Sequence, residues 1–363
     1  MKIFFRTDAS LVIGQGHVMR CLTLAVALRE HGVDSGFVCR DHPGNLCDLV
    51  RASGFRVHSL PPASTPVLPS SADPYAAWLG TTWMEDAGQT LAAMGADPSV
   101  PHWVVVDHYA LDARWEDAVR ARVPRVMAID DIADRPHRAD VLLDQNLYPD
   151  MKGRYAGLVD SGCVQLLGPR YALLRKEFVM SRQGLRPRDG SVARVLVFFG
   201  GSDVSNETGK TLDAIELLNR SGVRFDIVVG AANPFRDMLA ARCDGLPNVS
   251  LHCNISNMAQ LMADADLALG AAGTATWERC ATGLPAFMLS VADNQVEIAK
   301  GVDSVGAQRY LGPCSTVTAG QIAAALVQAI DNPQTLREMS QTALTLVDTL
   351  GAERVVAALK ESA

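Results

Sequence analysis

An α/β fold in two successive, doubly wound domains is what this sequence predicts, and three observations predict it. Short apolar runs alternate with stretches of helical spacing, as expected for parallel strands buried on both faces. Twice such a run ends in a glycine turn that opens a helix, at Gly14-Gln15-Gly16-His17 and at Gly200-Gly201-Ser202-Asp203. The chain has 363 residues, too many for one ordinary domain and suited to two.

Residues 2–8 form a strand, 14–17 the turn, and the helix that follows runs on through Arg20, Leu24 and Leu28. Strands come next at 35–40 and 55–60, with a helix over 44–52 between them. Residues 61–74, PPASTPVLPSSADP, are a surface loop, because their prolines exclude a regular element. Helical spacing returns over 83–94, and the run 103–107 ends in Asp107, followed by His108 and Tyr109. Further strands lie at 126–130, 141–143 and 164–167. Residues 182–193 turn polar and are read as a linker between a domain at 1–181 and another at 194–363. The pattern then restarts, with strands at 194–199, 225–229, 249–252, 267–269 and 286–291. Helices over 206–218, 234–243, 257–264, 274–282 and 295–304 alternate with them. From about 319 the chain is helical, with a last helix able to cross back over the first domain.

A net charge of −7 leaves no basic surplus for neutralising phosphates, which argues against nucleic acid as the partner. A pocket for one small phosphorylated ligand fits that balance. The eight cysteines contain no C-x-x-C pair and several lie within apolar runs, so they are read as mostly reduced core residues. Arg6 and Asp8 interrupt the opening apolar stretch before a signal peptide can form. No run is long enough to span a bilayer, so the expectation is a cytoplasmic protein with no membrane partner.

The first candidate site is the turn at 14–17. Gly14 and Gly16 permit a close approach to the main chain, and a helix N-terminus disfavours a cation beside it. A histidine placed there, His17, suits a proton acceptor. The alternative is a polar residue capping a surface turn. A dinucleotide fingerprint needs a third glycine where Met19 stands, and the second strand ends without a clear ribose-binding acid. No nicotinamide or other cofactor is therefore expected.

The second candidate is Gly270-Ala271-Ala272-Gly273-Thr274-Ala275-Thr276-Trp277-Glu278, with Asn294 and Gln295 further on. Small residues and the hydroxyls of Thr274 and Thr276 at a strand-to-helix turn can cradle a diphosphate, with Gly273 allowing close approach. Glu278 lies one helical turn past Thr274, placed to accept the hydroxyls of a ribose. A merely close-packed turn with a solvated Glu278 is the alternative. Gly201 sits in a further anion-compatible turn. Asp107, Tyr109, Asp130 and Asp131 fall at strand ends, where open α/β sheets place ligands. The two adjacent aspartates suit a metal or sugar hydroxyls, but no ligand-spaced histidine or further carboxylate accompanies them, so no metal site is predicted. Neither an H-E-x-x-H, a Walker A nor a G-x-S-x-G pattern occurs.

The segments FRTDASLVIGQGHVMRCLTLA, VVVDHYALD, AIDDIADRPHRADVLLDQN, LLGPRYALLRKEF and GTATWERCATGLPAF, with ADNQ beyond, resemble one family in order along nearly the whole chain. It is the UDP-2,4-diacetamido-2,4,6-trideoxy-β-L-altropyranose hydrolases of pseudaminic acid biosynthesis. The C-terminal half also resembles the UDP-binding half of the peptidoglycan N-acetylglucosaminyltransferase. The resemblance implies a GT-B architecture, two Rossmann-like domains with parallel sheets facing across a cleft. It implies metal-independent hydrolysis of a sugar C1–O bond with inversion, releasing UDP, and His17 as the catalytic histidine. It further implies nucleotide contacts from the Thr274–Glu278 turn, Asn294 and Gln295, a uracil contact at Ile255, and a sugar-side position for Tyr109. Sugar discrimination is expected to vary in the loop 61–80. An inverting UDP-sugar glycosyltransferase with an alcohol acceptor is the alternative.

Overall fold

The computed structural model describes residues 1–62, 75–97, 100–218, 220, 222–231 and 233–362. The Pro/Ser-rich loop, and the sugar discrimination expected of it, therefore falls over 63–74 outside the described residues. The chain divides into two compact units. The first comprises Met1–Asn146, Asp150–Leu173 and Gly351–Ala363, and the second Leu147–Pro149 and Leu174–Leu350.

In the first unit the strands are β1 (Lys2–Thr7), β2 (Asp34–Arg40), β3 (Arg56–Leu60), β4 (Trp103–Asp107), β5 (Arg125–Ile129), β6 (Val141–Asp144) and β7 (Val164–Leu167). They form one sheet in the order β3-β2-β1-β4-β5-β6-β7, every pair parallel. Both faces are covered, which is why the strands read as apolar runs. On one face Ile3, Phe5, Phe37, Trp103, Val105 and Met127 join a core with Cys21, Leu24 and Leu28 of helix α1 (Gly16–Glu30). Val355, Val356 and Leu359 of the helix Gly351–Glu361 belong to the same core. Gly351 is required there, since a Cβ would stand 2.3 Å from the Ala172 carbonyl oxygen. On the opposite face Phe4, Val38, Val104, Val106 and Val126 pack with Ala87 and Met94 of the helix Trp83–Gly95 and with Trp115.

The second unit repeats the plan with β8 (Arg194–Phe198), β9 (Arg224–Val229), β10 (Val249–Cys253), β11 (Leu267–Ala271), β12 (Ala286–Ser290) and β13 (Arg309–Pro313). Their order is β10-β9-β8-β11-β12-β13, again all parallel. Each sheet thus starts at its third position, and its order reverses beside the first strand, between β1 and β4 and between β8 and β11. At such a reversal the loops leaving the two strands diverge and open a crevice.

Several elements appear that the sequence pattern does not announce, among them the helices Ala76–Leu79 and Lys176–Gln183 and two more. One is the helix Ala113–Val119, capped by the Asp112 side chain. The other is β13, an edge strand whose Gly312 (φ +131°) and terminal Pro313 break the apolar run that marks its neighbours. The helix expected over 44–52 begins only at Cys47, because Gly44 takes φ +80° and the Asn45 side chain accepts the Cys47 N–H instead. All eight cysteines are free thiols, five of them buried.

The first unit also buries four charges together. Arg6 donates to Asp8 (2.7 Å) and to both oxygens of Asp86 (3.0 and 2.6 Å), and Arg40 donates to Asp86 (2.7 Å). Trp115 Nε1 adds a third donor to Asp86. Asp86→Ala leaves Arg6 with Asp8 alone and Arg40 with the Pro61 carbonyl and Gln89, and breaking these buried pairs should cost about 3–5 kcal/mol. Its first calorimetric unfolding transition should fall clearly below that of wild type, and an unchanged transition would show the cluster to be energetically idle.

Candidate functional site

The loops leaving β1 and β4 meet at the reversal point of the first sheet. Gly14 (φ +81°) closes the β1 loop by donating its N–H to the Ser10 carbonyl at 2.9 Å, and Gly16 starts α1. The next residue, His17, lies across from Asp107, the last residue of β4, with Nδ1 at 2.6 Å from Oδ1. Arg20, one turn further along α1, grips the same carboxylate with Nε (2.6 Å to Oδ2) and Nη2 (2.7 Å to Oδ1). Its Nη1 donates to Asp131 at 2.9 Å. Asp131 also accepts from the Tyr109 hydroxyl and, at 3.2 Å, from the Asn146 amide.

Burial pushes the Asp107 carboxyl up, but Arg20 and His17 together outweigh that and hold it well below the usual carboxylate range. An ionised carboxylate only accepts, so the short contact to Oδ1 puts a proton on His17 Nδ1. The 3.3 Å approach of Arg20 Nη2 to Nδ1 is then a proximity and not a hydrogen bond, because a guanidinium has no acceptor. Nε2 makes no hydrogen bond among the described residues. In the neutral ring it therefore carries the lone pair, on a side chain 9% exposed. This is the geometry of a general base oriented by a carboxylate.

An aromatic cluster borders the imidazole. The Tyr109 ring meets it edge-on at 4.7 Å, and the Trp78 ring lies 6.3 Å away, stacked on Tyr109. Tyr109 is itself buried, its hydroxyl engaged with Asp131. Its neighbour His108 is a loop-holding residue: its Nδ1 accepts the Ala110 N–H, and burial lowers it to about 3, so it stays neutral. Asp130, read from sequence beside Asp131 as a metal or sugar ligand, is instead taken up by Arg135, Tyr155 and the Ala133 N–H. No group of three potential ligands among the described residues could hold a metal ion.

In the second unit the expected nucleotide residues all lie at the C-terminal edge of the sheet. Gly273 and Gln295, from the loops after β11 and β12, come together: a Cβ on Gly273 would stand 3.6 Å from Gln295 Nε2. Gln295 is held by the Val291 N–H, donated to its Oε1 at 3.1 Å, and half-buried Asn294 precedes it. The N–H groups of Gly273, Thr274 and Ala275 make no hydrogen bond among the described residues, and Thr274 is exposed. These three donors form an open cradle for an anion. Thr276, by contrast, is fully buried, its hydroxyl accepting from Arg279 at 3.0 Å. The hydroxyl of Thr276 thus supports the turn from inside.

The loop after β8 differs too. Gly201 lies on the same edge, its carbonyl accepting the Gly230 N–H at 3.1 Å. Both oxygens of Asp203 already accept from the Glu207 and Thr208 N–H groups, which removes the donors that made this turn anion-compatible in sequence. Ile255 is half-buried at the end of β10, after Asn254 (φ +52°). Glu278 accepts from Arg175 Nη2 at 3.0 Å and Nε at 3.3 Å, both on Oε1. Burial pushes the Glu278 carboxyl up, with Arg175 acting against it.

Arg20, Asp131 and Arg175 complete these clusters, and sequence reasoning missed Arg20 and Arg175 as site residues. The available signal for Arg20 was its position three residues after His17, on one helix face.

Residues 195–355 match the family model described as the glycosyltransferase family 28 C-terminal domain. A protein of Methanocaldococcus jannaschii with no assigned function is 24% identical over 80% of this chain, which spans only 55% of that relative's length. The UDP-2,4-diacetamido-2,4,6-trideoxy-β-L-altropyranose hydrolase of Campylobacter jejuni is 27% identical over 72% of this chain and 81% of its own. Among solved structures, MurG of Acinetobacter baumannii superposes with a TM-score of 0.65 over 99% of both chains at 16% identity. The fold is thus that of GT-B glycosyltransferases, two Rossmann-like units with parallel sheets. No helix among the described residues is long and apolar enough to cross a membrane.

The depressed Asp107 also sets a pH dependence. A carboxyl lowered in the folded state contributes its full stability above the unfolded aspartate range, about pH 4, and loses it as pH falls toward the folded value. The urea stability gap between wild type and Asp107→Asn should therefore narrow steadily below about pH 4. A gap that persists unchanged in stronger acid would contradict the ionised pair. Imidazole ¹⁵N spectra should show the Nδ1–H tautomer of His17 in wild type and a mixture in the variant.

Proposed function

We propose that this protein is a UDP-sugar hydrolase. It cleaves the anomeric C1–O bond of UDP-2,4-diacetamido-2,4,6-trideoxy-β-L-altropyranose with inversion, as a step toward pseudaminic acid. The observation that carries the reading is the His17–Asp107 pair, with the proton assigned to Nδ1 and Nε2 free. Nε2 takes a proton from water as the water oxygen attacks C1, and the C1–O electrons leave with UDP. Asp107 then stabilises the imidazolium, while Arg20 keeps that carboxylate oriented and ionised. The open N–H groups at Gly273, Thr274 and Ala275 oppose the charge that grows on the departing diphosphate, and Glu278 accepts from the ribose. Gly201, Ile255, Asn294 and Gln295 line the same sheet edge as further nucleotide contacts. No step is assigned to a metal or cofactor, and the substrate is the one partner the reading requires. The likeness of this chain to a named hydrolase over 72% of its length supports this choice.

An inverting glycosyltransferase with an alcohol acceptor is the second reading, favoured by the match to the family 28 domain. The near-complete burial of His17 weighs against it, because water reaches a nearly closed base more readily than a bulky acceptor does.

One experiment tests the first reading. In ¹⁸O water the hydrolase should place the label on C1 of the free sugar, leave UDP unlabelled, and invert the anomeric signal in NMR. His17→Ala and His17→Phe should lower turnover by about 10²–10⁴-fold, the usual worth of a general base. UDP affinity by calorimetry should stay nearly unchanged. Label in UDP, or brisk turnover by either variant, overturns the assignment.

A further inference from the structure

We infer that Arg175 is a positioning residue that presents one oxygen of Glu278 to the ribose diol of a bound nucleoside diphosphate; this rests on the ribose role proposed above for Glu278. Arg175 immediately precedes the helix Lys176–Gln183, far from Glu278 in sequence but within the same unit. Its guanidinium places two donors on Glu278 Oε1, at 3.0 and 3.3 Å, and a third, Nη1, on Glu177 Oε1 at 2.6 Å. Glu278 Oε2 makes no hydrogen bond among the described residues, and the side chain is 18% exposed. One carboxylate oxygen is therefore locked and its twin left open.

The charges agree with that division. One guanidinium faces two carboxylates, so the cluster keeps a net negative charge for hydroxyl donors to satisfy. The other cation near Glu278 is Arg279, which is turned away to the Ala271 carbonyl, Thr276 and Gln308. The rigid planar fork also stops a three-torsion glutamate from wandering among rotamers. Without Arg175 a half-buried Glu278 would lose both its orientation and the charge that opposes its protonation.

The ligand so recognised is a nucleotide with an intact 2′,3′-diol, and the contact is separable from the diphosphate cradle. The test uses the full chain and calorimetry with UDP and 2′-deoxy-UDP, on wild type, Glu278→Gln, Arg175→Gln and Arg175→Lys. Wild type should prefer UDP by about 10- to 100-fold, the worth of a hydrogen bond to a charged group. In Arg175→Gln that preference should collapse to about 2-fold while 2′-deoxy-UDP binds as in wild type, which also shows that the variant is folded. Arg175→Lys should recover part of the preference, since it restores charge without the fork. If Glu278→Gln keeps the full preference, the ribose role of Glu278 fails and this inference falls with it. If Glu278→Gln loses the preference but Arg175→Gln keeps it, only the positioning role is overturned. Equal weakening of both nucleotides in Arg175→Gln would likewise overturn it, as a structural role predicts.

Discussion

A buried carboxylate, Asp107, is the element on which the first unit's chemistry depends. It ends a strand with no exposed surface, where an unpaired charge would not persist. Arg20 supplies two charge-assisted donors and His17 a third. The same contacts that make the charge tolerable fix the imidazole's tautomer and aim its Nε2. The group that needs neutralising is thus the group that orients the imidazole. The strand order places this pair where loops from β1 and β4 diverge, so the topology supplies the crevice and the side chains its polarity.

The second unit uses the same topology differently. In the first unit nearly every polar group near His17 is consumed by another, down to the Tyr109 hydroxyl on Asp131. In the second, the main-chain donors at Gly273, Thr274 and Ala275 remain unspent, while the supporting Thr276 and Arg279 are satisfied from beneath. An anion binds well to donors that are held in place yet unpaired, and the buried Arg279 provides the holding through the Ala271 carbonyl. The Asp203 turn shows the contrast: there a carboxylate of the chain itself already occupies the helix donors.

Much of the architecture is legible in the sequence because parallel strands covered on both faces must be apolar throughout. The run at 103–107 corresponds to β4 residue for residue. What escapes is edge structure such as β13, where Gly312 and Pro313 interrupt the run and half-exposure relaxes the need for apolar residues. At the site, the turn that carries His17 is legible, because Gly14 and Gly16 mark a sharp backbone change ahead of a helix. Arg20 is not, since an arginine in a helix is ordinarily a solvated one. Its meaning comes from Asp107 and Asp131, 87 and 111 residues further along. The buried hydroxyl of Thr276 is illegible for the opposite reason: spacing alone does not distinguish the inner from the outer face of a short helix.

The free Nε2 of His17 can deprotonate any hydroxyl that reaches it, so the base alone does not choose between water and an alcohol. The choice falls to the surroundings. Asp107 and Arg20 close one side of the ring, while Tyr109 and Trp78 border it with aromatic carbon that offers little to a polar acceptor. A transferase built on this fold needs room for its acceptor beside the base, and a hydrolase needs room for one small molecule. A side chain 9% exposed, bordered by aromatic rings, answers the second need more directly than the first. Constriction around His17 is the feature of this unit that favours a small hydroxyl donor over a bulky one.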